Sequence, residues 1–346
     1  MSERMSEITK QLANASVQDD GTVFMPKIKL PISPLISAEA RGAMIQVMTS
    51  GGVASFYPEN GETWGAARNR LDSGFFGPIM EGVLKQVAVR IERTTIAGVP
   101  VDRITPAAGV APENRDRVIV SIHCGMFTHG SGFIPDAVVL AHQMQIEVFA
   151  PDYRLAPEHK LSEGVADVAA VCEALAGRYS PKRIALYGIS AGGELAAMTL
   201  SSLIARGKPL PGAVGILAAC GGFVIGDSHV LAGYTTAHTM KEGAVEDFAE
   251  VLIGTRSLQA LQSREFSPIH YPDILARFPP TLLMSSGRAQ ELSGTVVMHR
   301  NLLKANVQAE LHVWEGLPHA FPVLPALPES LDFYDTFARF LRLHLN

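Results

Sequence analysis

The chain has 346 residues, 47% hydrophobic and 18% charged, with a formal net charge of −5. That composition belongs to a globular protein with a substantial core and excludes a disordered or fibrous one. The mixed charge offers no basic stripe to neutralise phosphates, which argues against nucleic acid and leaves small molecules as the default ligand.

The length suits one large α/β domain with an appended cap, or two ordinary domains. Cys124, Cys172 and Cys220 are widely spaced with no C-x-x-C pair, so neither a disulfide framework nor a zinc site is expected, and a reducing compartment fits. The opening MSERMSEITKQLANASVQDDG lacks the apolar run of a signal peptide, and no stretch reaches the length of a membrane span. The expectation is a cytoplasmic protein with no membrane span.

Residues 1 to about 26 show no clear period and read as a frayed terminus or part of a lid. SAEARGAMIQVM, from Ser37 to Met48, carries an apolar stripe at helical spacing behind a capping Ser, with Glu39 favouring the positive end. The Gly- and aromatic-rich stretch GGVASFYPENGETWGAARNRLDSGFFGPIM reads as a loop. Residues 1–84 are therefore assigned to an N-terminal cap segment and 85–346 to an α/β core. From Val87, VAVRIERTTIAGVPVDRITPA alternates apolar and polar residues on both sides of Ala97-Gly98, predicting a β-hairpin. VIVSI (118–122), VFA (148–150), IALYG (184–188), AVGIL (213–217), TLLMSS (281–286) and ELHVWEG (310–316) follow, separated by helical stretches. Continuous apolar strands alternating with helices predict a mostly parallel sheet buried on both faces. Between about Gly221 and Ile269 a long insertion follows a strand end, where ligand-binding additions are commonly grafted, and it is assigned to the cap. The terminal SLDFYDTFARFLRLHLN predicts a helix whose stripe of Leu331, Phe333, Phe337, Phe340 and Leu341 packs on the core. A homodimer, through that helix or an exposed edge strand, stays open.

IALY runs into Gly188-Ile189-Ser190-Ala191-Gly192, and the residues from Glu194 read as a helix. This is the strand, G-x-S-x-G turn and helix that present a nucleophilic serine: the glycines remove Cβ atoms that would collide, and the helix start aims N–H groups at developing negative charge. Asp152-Tyr153-Arg154-Leu155-Ala156-Pro157-Glu158-His159 and the SAGG after Ile189 resemble the hormone-sensitive-lipase-like branch of the α/β-hydrolase esterases, whose members carry DYRLAPEH and GDSAGG in this order; Ile189 stands in place of the usual Asp. The likeness covers about residue 85 to the C-terminus. It implies the α/β-hydrolase fold, a helical cap, no cofactor, and ester hydrolysis through an acyl-enzyme. In the DYRLAPEH stretch, Arg154 and Glu158 are expected to pair and brace the loop, and His159 is read as structural.

His319 lies in a loop at the end of the last strand, where an imidazole reaches toward Ser190, and it fits the family pattern E-G-x-x-H-x-F. It is the candidate general base. The acid is irregular. Gly287-Arg288-Ala289-Gln290-Glu291-Leu292-Ser293 contains no Asp, although the family places one near Gln290. Either Glu291 orients His319, its longer side chain making up the shift, or Glu291 is a solvated loop charge and Gln290 faces the imidazole. The oxyanion loop is irregular too, reading His123-Cys124-Gly125-Met126-Phe127 where the family has His-Gly-Gly-Gly-Phe. The resemblance maps the oxyanion donors to Gly125, Met126 and Ala191, with the Met126 donor misdirected if the turn needs a positive φ. Cys124 is read as a packing residue. The leading function is a serine carboxylesterase for a short- to medium-chain ester; the alternatives are a dehydratase- or cyclase-like enzyme, or a catalytically weak small-molecule receptor.

Overall fold

A computed structural model describes residues 16–19, 23–24, 30–49, 55–236 and 243–345. The chain divides into two compact units, residues 1–34 and 35–346. In the first, β1 (Ser16–Val17) pairs antiparallel with β2 (Val23–Phe24). Most of the opening segment read as terminus or lid lies outside the described residues.

The second unit is built on a mixed, mostly parallel sheet of eight strands flanked by helices: β3 (Val89–Ile96), β4 (Val99–Pro106), β5 (Val118–Ile122), β6 (Glu147–Pro151), β7 (Ile184–Ile189), β8 (Ala213–Leu217), β9 (Thr281–Arg288) and β10 (Ala309–Pro318). Their order is β10-β9-β8-β7-β5-β6-β4-β3. The hairpin β3-β4 and the β4-β6 pair are antiparallel, and every other neighbour is parallel. Ala97 and Gly98 turn the hairpin with φ of 51° and 83°, the left-handed pair that matches the twist of the flanking strands. Strands β5 to β8 are buried along their whole length, which is why they read as unbroken apolar runs.

Helices α1 (Ala38–Thr49), α2 (Trp64–Leu71) and α3 (Gly77–Leu84) precede the sheet; α4 (Pro135–Met144), α5 (Leu161–Ala176), α6 (Ala191–Ala205), α7 (Asp227–Thr236), α8 (Ala244–Ile253), α9 (Leu258–Leu261), α10 (Pro272–Leu275), α11 (Leu292–Lys304) and α12 (Pro328–His344) follow β5. Consecutive residues of β7 serve opposite faces. Leu186 joins the core shared with α5 and α6, while Tyr187 packs on Phe337 of α12, ring centroids 4.9 Å apart. α1 forms as expected behind Ser37, whose Oγ accepts from the Ala40 N–H at 3.0 Å. Ser37 also donates to Glu329 at the start of α12, through its backbone N–H at 2.6 Å and its hydroxyl at 2.9 Å.

Two expectations need correction. The stretch read as a loop is helical from Trp64 to Leu84, through α2, a π-helical turn at Asp72–Phe76 and α3. Thr63 caps it by accepting from Ala66 N–H at 3.2 Å, and Ala67, Leu71, Phe76 and Val83 form its buried face. Its glycines and aromatics hid that spacing, because the extra residue of the π turn breaks the period. In α12, Phe333, Phe337, Phe340 and Leu341 are buried as expected, but Leu331 is 54% exposed and lies off the stripe. Among the described residues no helix is long and apolar enough to cross a membrane.

Candidate active site

Ser190 sits between β7 and α6 with φ 59° and ψ −124°, a sharp turn that an L-residue holds only under constraint. The constraint is close packing. A Cβ on Gly188 would lie 2.2 Å from the Gly192 carbonyl carbon, and one on Gly192 would lie 2.0 Å from the Ile122 oxygen at the end of β5. Only glycine at both positions lets the turn fold this tightly against the neighbouring strand. The Ser190 N–H donates to Leu217 O at 2.8 Å, pinning the turn to β8.

His319 follows the last residue of β10, and Glu291 is the N-cap residue of α11, in the turn after β9. The carboxylate is acceptor-only, so the His319 Nδ1–H donates to Glu291 Oε2 at 2.7 Å, and the Nε2 lone pair accepts from the Ser190 hydroxyl at 2.8 Å. The second Glu291 oxygen accepts from Ser285 Oγ at 3.0 Å. Burial pushes the Glu291 carboxyl up, but the charge of His319 and the bonds from His319, its own backbone and Ser285 outweigh this and leave it below its ordinary range. Burial works against the charged form of His319; the facing Glu291 charge and hydrogen bond, with Glu194 behind them, prevail and hold its pKa above the usual value. Gln290 does not take the acid's place: its backbone oxygen accepts from Ser228 Oγ at 2.6 Å, and Glu291 is the residue bonded to the imidazole.

The loop after β5 bends through three left-handed residues, Gly125 (φ 118°), Met126 (φ 55°) and Phe127 (φ 64°). A Cβ on Gly125 would lie 2.3 Å from His129 O, so only the first position is closed to side chains by contact. Met126 and Phe127 carry the strain of the other two, of order 1–3 kcal/mol each. Met126 thus adopts the positive φ that the turn requires. Thr128 and His129 N–H donate to Gly125 O at 3.1 and 2.9 Å, closing the turn. The N–H groups of Gly125, Met126 and Ala191 have no acceptor among the described residues. Ala191 is the first residue of α6, where an N–H has no intrahelical partner in any case.

The insertion after β8 roots in this site. Ser228 Oγ accepts from Ser293 N–H at 2.9 Å, and Ser293 Oγ accepts from Ser228 N–H at 3.0 Å, so the start of α7 is stitched to the turn bearing Glu291. Phe223 and Phe248 lie 6.4 and 6.2 Å from Phe127, centroid to centroid, beside the turn after β5. Glu194, one turn after Ser190, accepts from Cys220 N–H at 2.8 Å and Gly222 N–H at 2.6 Å. Burial pushes its carboxyl up to about 7 despite those two donors. His229 of α7 feels the charges of both Glu291 and His319, and burial holds its pKa below the usual value.

The expected Arg154–Glu158 pair does not form. Arg154 Nε and Nη2 donate to Asp167 at 2.9 and 2.8 Å, and Nη1 donates to Glu163 at 2.6 Å. Glu158 instead takes a two-pronged pair from Arg68, at 2.9 and 2.6 Å. An i, i+4 spacing in a loop does not bring side chains together as it does in a helix, and Asp167 sits on α5 facing the Arg154 backbone. His159 is half-buried, its Nδ1 3.4 Å from Glu163. Burial pushes the Cys124 thiol up to about 12, so no thiolate forms there at neutral pH. Sequence reasoning passed over Arg68, Glu194 and Ser228; only Glu194, a carboxylate in the first turn of the nucleophile's helix, carried a local signal.

Residues 119–323 match a protein family described by its alpha/beta hydrolase fold, and the chain belongs to that family. Several of the proteins it resembles are named as esterases. The carboxylesterase/phospholipase LipF of Mycobacterium tuberculosis is 26% identical over 248 residues, 69% of this chain and 66% of LipF. The chain thus spans just under two thirds of that curated relative. The crystal structure of esterase E25 superposes with a TM-score of 0.81 at 28% identity, covering 93% of this chain and 99% of that one. An esterase from the bacterial hormone-sensitive lipase family superposes with a TM-score of 0.72 at 26% identity, covering 90% and 99%.

Proposed function

We propose that the protein is a serine carboxylesterase in which Ser190 is the nucleophile, His319 the general base and Glu291 the orienting acid. The observation that carries this is the unbroken hydrogen-bond chain from the Glu291 carboxylate through His319 to the Ser190 hydroxyl. Ser190 Oγ attacks the ester carbonyl carbon as its proton passes to His319 Nε2, and Glu291 stabilises the resulting imidazolium. The carbonyl π electrons move onto oxygen, where the N–H groups of Gly125, Met126 and Ala191 receive the charge. Collapse expels the alcohol, which takes the proton from His319 and leaves an acyl-serine. Water, deprotonated by the same imidazole, repeats the sequence and releases the acid. No step calls for a cofactor.

Residues 1–84 are read as a cap segment and 85–346 as the core, with a cap insertion at about 221–269. Phe127, Phe223 and Phe248 suit a short- to medium-chain acyl group beside the oxyanion turn. Hydrolysis of a p-nitrophenyl ester series from acetate to palmitate, beside Ser190→Ala, tests the reading. Turnover peaking at short or medium chains and lost in the variant is expected; turnover that survives in Ser190→Ala, or no turnover at any length, would reject it.

A further inference from the structure

We propose that Arg68, on helix α2 of the N-terminal segment, is a positioning residue that holds the oxyanion turn in its strained conformation. Its guanidinium spans two loops with backbone bonds. Nε donates to Thr128 O at 2.7 Å, and Nη2 donates to Ala156 O at 2.8 Å. Those loops are already joined by the Ala156 N–H, which donates to Phe127 O at 2.9 Å. Arg68 therefore closes a bridge across the two residues that follow Met126, and its outer nitrogens also pair with Glu158. The ion pair itself is half exposed, Glu158 at 51%, and contributes little alone. What matters is that Met126 and Phe127 sit at φ 55° and 64°, where side-chain-bearing residues stay only if their surroundings over-determine them. A turn of glycines would need no such clamp. Here one is supplied from 60 residues upstream, on a helix whose first residue, Trp64, lies 6.1 Å ring to ring from His129 of the same loop, with the Phe56 ring of the preceding segment 5.5 Å from it.

This inference rests on the proposed oxyanion role of Gly125 and Met126, and its test separates the two. Kinetics and amide hydrogen exchange over residues 123–130 would be measured for the parent, Arg68→Met, Arg68→Lys, Glu158→Gln, Met126→Gly and the Arg68→Met/Met126→Gly pair. Arg68→Met is expected to lower kcat by about ten- to a hundredfold, short of the 10²–10³ for a deleted donor, with KM changed less than about threefold. Arg68→Lys, which keeps the charge but lacks the fork, should show the same loss and covers the case in which the methionine variant does not fold. Glu158→Gln, which leaves both carbonyl bonds, should keep kcat within about threefold of the parent. In both Arg68 variants the Thr128 and His129 amides should exchange at least about tenfold faster, as expected of a local opening. Removing the strain with Met126→Gly should recover most of the kcat lost in Arg68→Met. Independent, multiplicative effects of the two substitutions, a rise in KM alone, or unchanged exchange in the loop would overturn the proposal. A parent that fails to hydrolyse esters would reject the esterase reading, and the exchange measurement would still decide whether Arg68 holds the turn.

Discussion

Glu291 hydrogen-bonds the imidazole of His319, and that geometry makes a sharp prediction. In the proposed mechanism only a neutral imidazole accepts the Ser190 proton, so kcat is expected to fall as pH drops through the His319 pKa, which the facing carboxylate holds above the usual histidine value. Glu291→Gln removes the charge that raises it and presents an amide to Nδ1. We expect kcat to fall by about 10⁴ and the remaining acid limb to move to lower pH. A pH–rate profile of the variant beside Gln290→Ala checks this. Equal losses in the two, or a limb that stays put, would remove Glu291 from the chain. That Ser190 and His319 meet was legible in the sequence, because each sits in a local motif at a strand end. The choice between Gln290 and Glu291 was not, since adjacent residues of a turn differ only in direction. Met126 is similar: the sequence raised the question of its φ, and the folded turn answers it at 55°. The irregular acid and oxyanion residues that gave a receptor or non-hydrolytic enzyme its support are thus compatible with an intact serine relay.

Elements meet at the site through struts that no single element contains. Glu194 of α6 reaches the backbone after β8, and that backbone packs on α11, where a Cβ on Gly294 would lie 2.7 Å from Cys220 Sγ. Helices α6 and α11 are held against one segment of chain. Glu194→Gln keeps one acceptor and turns an NH₂ toward either the Cys220 or the Gly222 N–H. Leaving one donor unsatisfied should cost about 1–3 kcal/mol, read as a lower urea midpoint at unchanged slope. A midpoint equal to the parent's would mean the strut carries no weight. The helical stretch 64–84 belongs at this scale as well. Composition pointed to a loop, and burial of Ala67, Leu71, Phe76 and Val83 decided for helix.

Across the whole molecule, the sheet divides the second unit into two helical layers, and α12 closes the one opposite the nucleophile's helix. Phe337 is fully buried against Tyr187, so Phe337→Ala should destabilise by about 3–5 kcal/mol. Leu331→Ala, at an exposed position of the same helix, should stay within about 0.5 kcal/mol. Denaturant titration of the two variants separates a stripe turned to the core from one covering all five apolar positions; equal costs would place Leu331 in that stripe. The edges of the sheet are unlike each other. β3 presents Arg90, Glu92 and Arg93 to solvent, a charged margin that discourages further strand pairing, whereas β10 ends in the loop of His319.

The sequence by itself determined the class of fold, the order of the parallel strands' appearance and the positions of Ser190 and His319. Those properties are written in local pattern: apolar runs that must be buried on both faces, and a turn whose glycines and serine are consecutive. Only the tertiary structure decided which carboxylate faces the imidazole, that Arg154 turns to Asp167 and Glu163 while Glu158 turns to Arg68, and that Arg68 bonds the loop after β5. Those contacts join residues up to 90 positions apart, or choose among neighbours by the direction of a side chain. Neither distance along the chain nor residue type carries that information until the backbone has closed.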